Sequence, residues 1–156
     1  MRRKSLTFFW ISIAVYVISF FLPAFYEFGE NTLDNSSPQY WIGISVFLAG
    51  GLYLPFFFVN WWVLLWLANP LYWKGLSDYW HHKDGGVFYV IFSFILGLLF
   101  LTTYKSSFQS NLDSVHVVGQ VGLGYYLWML SFVLLFVAMY IDPELVEDKV
   151  ETEGYK

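Results

Sequence analysis

The chain has 156 residues, of which 58% are hydrophobic, 24% aromatic and 13% charged, with a net charge of −4 and no cysteine. So little charge cannot wet the surface of a soluble domain, and the balance does not suggest a nucleic-acid partner. The missing cysteines exclude disulfides, thiolate metal sites and thiol redox chemistry.

Four stretches contain no Asp, Glu, Lys or Arg: residues 5–26, 35–73, 85–104 and 114–141. Each reaches the roughly 20 residues that a helix needs to cross a bilayer. The expected fold is an all-α integral membrane protein, a four-helix transmembrane bundle running up-down-up-down. Its single membrane domain covers residues 1–141, with spans at 6–22, 41–67, 87–103 and 122–141. An acidic cytoplasmic tail follows at 142–156.

The first span follows Arg2, Arg3 and Lys4 and ends at Pro23. It is longer than a signal-peptide core and has bulky Leu22 before Ala24, so it reads as uncleaved. The segment after it carries Glu27, Glu30 and Asp34 without a basic residue and reads as an exterior loop.

The second hydrophobic segment is too long for one upright helix and too short for two spans with a turn. It reads as one long helix from Trp41 to about Leu67, kinked by Pro55 beside Gly50 and Gly51. Asn69 and Pro70 would break it. Leu71 to Trp80 would then lie along the cytoplasmic interface, with Tyr72, Trp73, Tyr79 and Trp80 at headgroup depth. The third span is short, the segment from Tyr104 to Gln120 reads as a second exterior loop, and the fourth span stops at Asp142 and Pro143.

Orientation follows the basic residues. Arg2, Arg3, Lys4, Lys74, Lys83, Lys149 and Lys156 fall on one side and Lys105 on the other. Lys and Arg are retained on the cytoplasmic side, so both termini are expected in the cytoplasm of a plasma (inner) membrane.

Small residues recur at a spacing of seven in every span: Ser5, Ser12 and Ser19; Gly43 and Gly50; Gly86 and Ser93; Gly124, Ser131 and Ala138. In lipid, helices associate through close backbone approach at such positions. Ser12, Ser19, Gly50, Ser93, Gly124 and Ser131 are therefore expected to face neighbouring helices.

No span holds an ionisable group in its core, which argues against proton relays, haem ligation and intramembrane proteolysis. No catalytic residue, cofactor or metal is expected. Asp78, His81, His82 and Asp84 have a spacing that suits metal, but they sit in a short turn where headgroup contact explains them. Two lysines in that turn fall short of the four to eight basic residues of an acidic-lipid site. Asn60 is the one amide expected deep in a span, beside an aromatic stripe of Phe58, Trp62 and Trp66. These four residues form the candidate surface for a ligand, a protein partner or a second copy of the chain.

In size and topology the chain is similar to small four-span groups such as claudin-like proteins and immunity proteins against pore-forming toxins. The paired cysteines of the former are absent, and no motif ties the chain to either. The expected function is therefore that of a non-enzymatic membrane protein acting by binding, such as an accessory or assembly subunit or an immunity-type inhibitor. A small channel or transporter for neutral or lipid-like solutes is the alternative. Membrane lipid is the expected surrounding.

Overall fold

The computed structural model describes residues 2–28, 39–53, 66–83, 85–107 and 117–142. Within them the chain is mostly helical, with five helices and a small sheet. The order is α1 (Arg2–Ser19), β1 (Pro23–Phe28), β2 (Gln39–Ile42), α2 (Gly43–Tyr53), α3 (Ala68–Trp80), α4 (Gly86–Ser107), β3 (Val117–Val121) and α5 (Leu123–Tyr140).

The three strands correct the all-α expectation. Segments that read as exterior loops, with the first two residues of the expected second span, pair instead as an antiparallel sheet in the order β2-β1-β3, with Phe25 opposite both Trp41 and Val121. Their aromatic and β-branched residues suit a pleated surface once a partner strand is present. The sheet is joined closely to the helix ends. The Gly43 amide donates to the Leu22 carbonyl at 3.0 Å and the Ile44 amide to the Phe20 carbonyl at 2.9 Å. These bonds pair carbonyls of the turn that follows α1 with the start of α2. The Gly122 amide donates to the Ala24 carbonyl at 2.7 Å and so joins β3 to β1 just before α5 begins.

α1 and α5 make the most extensive helix contact, followed by α3 with α4. α1 and α5 run antiparallel, with Ser12 opposite Ser131 and Ser5 beside Asp142. α4 is antiparallel to α5: Gly86 packs near Met139, and Phe100 lies 6.0 Å from Tyr125, ring to ring. The core between them is built from Phe9, Tyr16, Tyr72, Tyr79, Val90, Tyr125, Phe132 and Leu135, with Ser5, Ser12, Ser93 and Ser131 fully enclosed.

The long kinked second helix is a second correction. α2 ends at Tyr53, and the Trp66 indole nitrogen donates to the Phe47 carbonyl at 2.7 Å. A continuous helix would hold those residues about 28 Å apart at about 1.5 Å per residue. Trp66 instead lies back against Gly50 and Gly51, and a Cβ at Gly50 would overlap the indole. The expected bend at Pro55 falls outside the described residues.

A third correction concerns the segment assigned to the membrane interface. Asn69 and Pro70 open a helix rather than ending one, and Pro70 sits in the first turn, where its missing N–H deprives no hydrogen bond. α3 then buries Ala68, Tyr72, Leu76 and Tyr79.

Among the described residues one helix, Leu123–Tyr140, is by itself long and apolar enough to cross a membrane. The apolar parts Lys4–Ser19, Gly43–Tyr53 and Gly86–Leu101 are shorter.

Candidate functional site

The polar groups of the interior are gathered where α3 lies against the seam between α1 and α5. Asn69, Tyr72, Leu76 and Tyr79 follow one another at spacings of three and four, which puts them on one face of a helix. Three of these residues meet α1 and α5 in successive rungs.

At the first rung, the Asn69 carbonyl oxygen accepts from the Tyr16 hydroxyl at 2.8 Å and from the Trp128 indole at 2.9 Å. The Asn69 amide nitrogen donates to the Trp66 carbonyl at 3.2 Å, and the Trp73 indole donates to the Tyr16 oxygen at 3.3 Å. At the second rung, the Ser12 hydroxyl donates to the Ser131 carbonyl at 2.7 Å. Having spent its one proton there, Ser12 accepts from the Tyr72 hydroxyl, also at 2.7 Å. The Tyr16 and Tyr72 rings stack between these rungs with centroids 4.6 Å apart. At the third rung, Ser5 and Tyr79 donate to the same Asp142 carboxylate oxygen at 2.8 and 2.7 Å, and they also touch each other.

These contacts run in opposite directions along α1 and in the same direction along α5, so α3 is antiparallel to α1 and parallel to α5. The ladder holds three helices in one register. Among the described residues no buried side-chain nitrogen or oxygen lacks a partner. Buried polar groups cost free energy unless paired, so full pairing rigidifies the interior.

The residues singled out from the sequence are distributed as follows. Ser12, Ser19, Ser93, Gly124 and Ser131 are buried. The Ser19, Ser93 and Ser131 hydroxyls return to carbonyls three or four residues earlier in their own helices, namely Tyr16, Tyr89 and Trp128. Ser19 and Ser93 therefore contribute small size at a contact, whereas Ser5 and Ser12 bond across to other helices and the Ser131 side chain also meets the Tyr72 hydroxyl. Gly50 holds the Trp66 ring. Phe58, Asn60 and Trp62 lie outside the described residues. Trp66 turns toward α2, so within the described residues its indole contributes to packing.

In the last turns of α3, Asp78 is buried and paired with Lys74, while His81 and His82 in the turn that follows are exposed. Among the described residues no three His, Asp or Glu side chains converge as metal ligands do.

Sequence reading missed Asn69, Tyr16 and Asp142 as interior groups. The spacing of Asn69, Tyr72 and Tyr79 carries the signal, but composition alone puts the four aromatics Tyr72, Trp73, Tyr79 and Trp80 together in one interfacial belt. The fold separates them: Tyr72 and Tyr79 are 0% and 3% exposed, Trp73 and Trp80 48% and 54%.

Comparison with known proteins finds no matching family model, no matching curated protein and no matching solved structure.

Proposed function

We propose that this chain is an integral membrane protein that crosses the bilayer four times and acts by binding another protein. The crossings are α1, the α2-to-α3 segment, α4 and α5. The sheet lies on the exterior face, and both termini lie on the cytoplasmic face with the α3–α4 turn.

One observation carries the membrane reading: the helices have their polar side chains inside and their large apolar ones outside. Ser5, Ser12, Ser93 and Ser131 are fully buried, while Phe88, Ile91, Phe92 and Ile95 of α4 and Leu130, Val133 and Phe136 of α5 are exposed. In water such a surface would drive association, whereas lipid chains cover it at no cost. The 18 residues of α5 amount to about 27 Å, close to a hydrocarbon core. Exposed rings stand at both ends, with Tyr40, Trp41 and Tyr126 near the sheet and Trp80 and Tyr140 near the opposite end. That is where amphipathic rings settle in a bilayer.

The binding reading is supported by the ladder. Its donors and acceptors are taken up by one another, which leaves them to structure rather than to catalysis or solute passage. The surface would then do the work, as in an accessory or assembly subunit or an immunity-type inhibitor.

Two measurements test this. Because the chain has no cysteine, Tyr40→Cys and His81→Cys give clean reporters. A membrane-impermeant maleimide on intact cells should label the first and spare the second; equal labelling of both would sink the topology. Purification from native membranes in mild detergent should then bring down a stoichiometric protein. Solute flux through reconstituted vesicles, with no protein partner recovered, would replace binding by transport.

A further inference from the structure

Basic residues that are distant in the sequence meet at one end of the molecule. Ser5 in α1 reaches Tyr79 of α3 and Asp142 beyond α5, so the start of α1 stands beside the α3–α4 turn. This brings Arg2, Arg3 and Lys4 to the end that carries Lys83, with Lys74 further back on α3. The turn alone has too few cations for an acidic-lipid site; by sequence, Arg2, Arg3 and Lys4 at the start of α1 together with Lys83 make four, the lower bound of the four to eight of such a site, with Asp84 next to Lys83 in the chain.

Burial sharpens the sign of this surface. Asp78 and Asp142 are each 3% exposed; one is paired with Lys74, and the other accepts from Ser5 and Tyr79. Lys4, His81, His82 and Lys83 are all exposed. Among the described residues, no exposed carboxylate stands at this end, and Lys4 and Lys83 are its exposed charges besides Lys74. Lys74 is also exposed, but its charge is offset by Asp78 and its ammonium lies 5.2 Å from the Tyr89 ring centre. It acts mainly to hold Asp78, which leaves Lys4 and Lys83 as the described lysines most open to an outside anion. Exposed Trp10 and Trp80 pack edge to face with centroids 6.1 Å apart, an aromatic rim of the kind found at headgroup depth.

We infer that this basic end binds the phosphate headgroups of anionic phospholipids in the leaflet it meets. The inference rests on the membrane reading above and adds a lipid preference to it. Charge complementarity identifies the occupant, since a zwitterionic headgroup has no net charge to offer a basic surface. Each lysine near an anionic surface changes binding about five-fold, and the effect fades as salt shortens the Debye length.

The test is native mass spectrometry of the full chain taken from nanodiscs that hold equal parts phosphatidylglycerol and phosphatidylcholine. The expected result is selective retention of phosphatidylglycerol. The double variant Lys4→Gln, Lys83→Gln should lower that selectivity about 25-fold, two lysines at about five-fold each. Should the variant not fold, the unaltered chain at rising salt gives the same reading, and selectivity should fall. Equal retention of both lipids by the unaltered chain, or selectivity untouched by both the variant and salt, overturns the inference. Displacement of the lipid by inorganic phosphate would also overturn it, in favour of a free-anion site. Selectivity that emerges only after removal of residues 143–156 would mean that the acidic tail occupies the surface, and would overturn it too. Failure to enter nanodiscs of either lipid would instead overturn the membrane reading.

Discussion

Ser12 and Ser131 face each other where α1 crosses α5, and the Ser12 hydroxyl donates to the Ser131 carbonyl at 2.7 Å. The same oxygen accepts from Tyr72, so one small side chain joins three helices. Ser12→Ala should cost about 0.5–2 kcal/mol, because the Tyr72 hydroxyl loses its acceptor and Ser131 a second donor. Ser12→Leu should cost more, since the site is fully enclosed and overpacking adds about 1–3 kcal/mol. Thermal unfolding of both variants in one detergent checks the order, and a leucine variant as stable as the alanine one would contradict it.

Gly124 and Gly97 separate two kinds of close contact. A Cβ on Gly124 would stand 2.7 Å from the Leu22 carbonyl oxygen and 3.0 Å from that of Ser19, both backbone atoms at the end of α1. A Cβ on Gly97 would meet the sulfur of Met129, a side chain that can swing aside. Gly124→Ala should therefore lower the melting temperature more than Gly97→Ala. The reverse order would show that the sheet end yields more readily than the middle of the helices.

Asn69 is the hub of the upper rung, accepting from Tyr16 and Trp128 through one oxygen. Asn69→Leu leaves the buried Tyr16 hydroxyl and the part-buried Trp128 indole without their acceptor and should cost about 2–4 kcal/mol, at about 1–3 for the buried group and less for the other. Tyr16→Phe removes a donor but leaves Asn69 still bonded to Trp128, so about 0.5–1.5 kcal/mol is expected. Near-ultraviolet circular dichroism, which reports on the packing of these rings, should change more for the asparagine variant. Equal effects would argue that the rings hold their places without the amide.

α3 ends in a tight cap whose geometry favours glycine. The His82 amide donates to the Tyr79 carbonyl at 3.2 Å and the Lys83 amide to that of Asp78 at 2.8 Å, with His82 at a φ of 53°. This is the Schellman arrangement, in which a side chain at the left-handed position costs about 1 kcal/mol relative to glycine. His82→Gly should leave stability unchanged or raise it by up to about 1 kcal/mol, as measured by thermal unfolding. A marked loss would show that contacts of the imidazole outweigh the backbone cost.

The sequence by itself determined the mostly helical character of this protein, because uncharged apolar stretches and spacings of three, four and seven are local properties. It also determined that Ser5, Ser12 and Ser19 share one face of α1, since residues seven apart lie two turns along the same side. Which residues those serines meet was decided only by the antiparallel crossing with α5 and the docking of α3. The strands belong to the tertiary structure as well. Tyr26, Tyr40 and Gln120 say little alone and become a sheet when β1 finds a partner on each side, since strand preference depends on neighbours far away in sequence. The same holds for Tyr72 and Trp73. Adjacent residues on a helix differ by about 100° in direction, so one becomes core and the other surface. Composition treats both as aromatic, and only the position of α3 against the α1–α5 seam separates them.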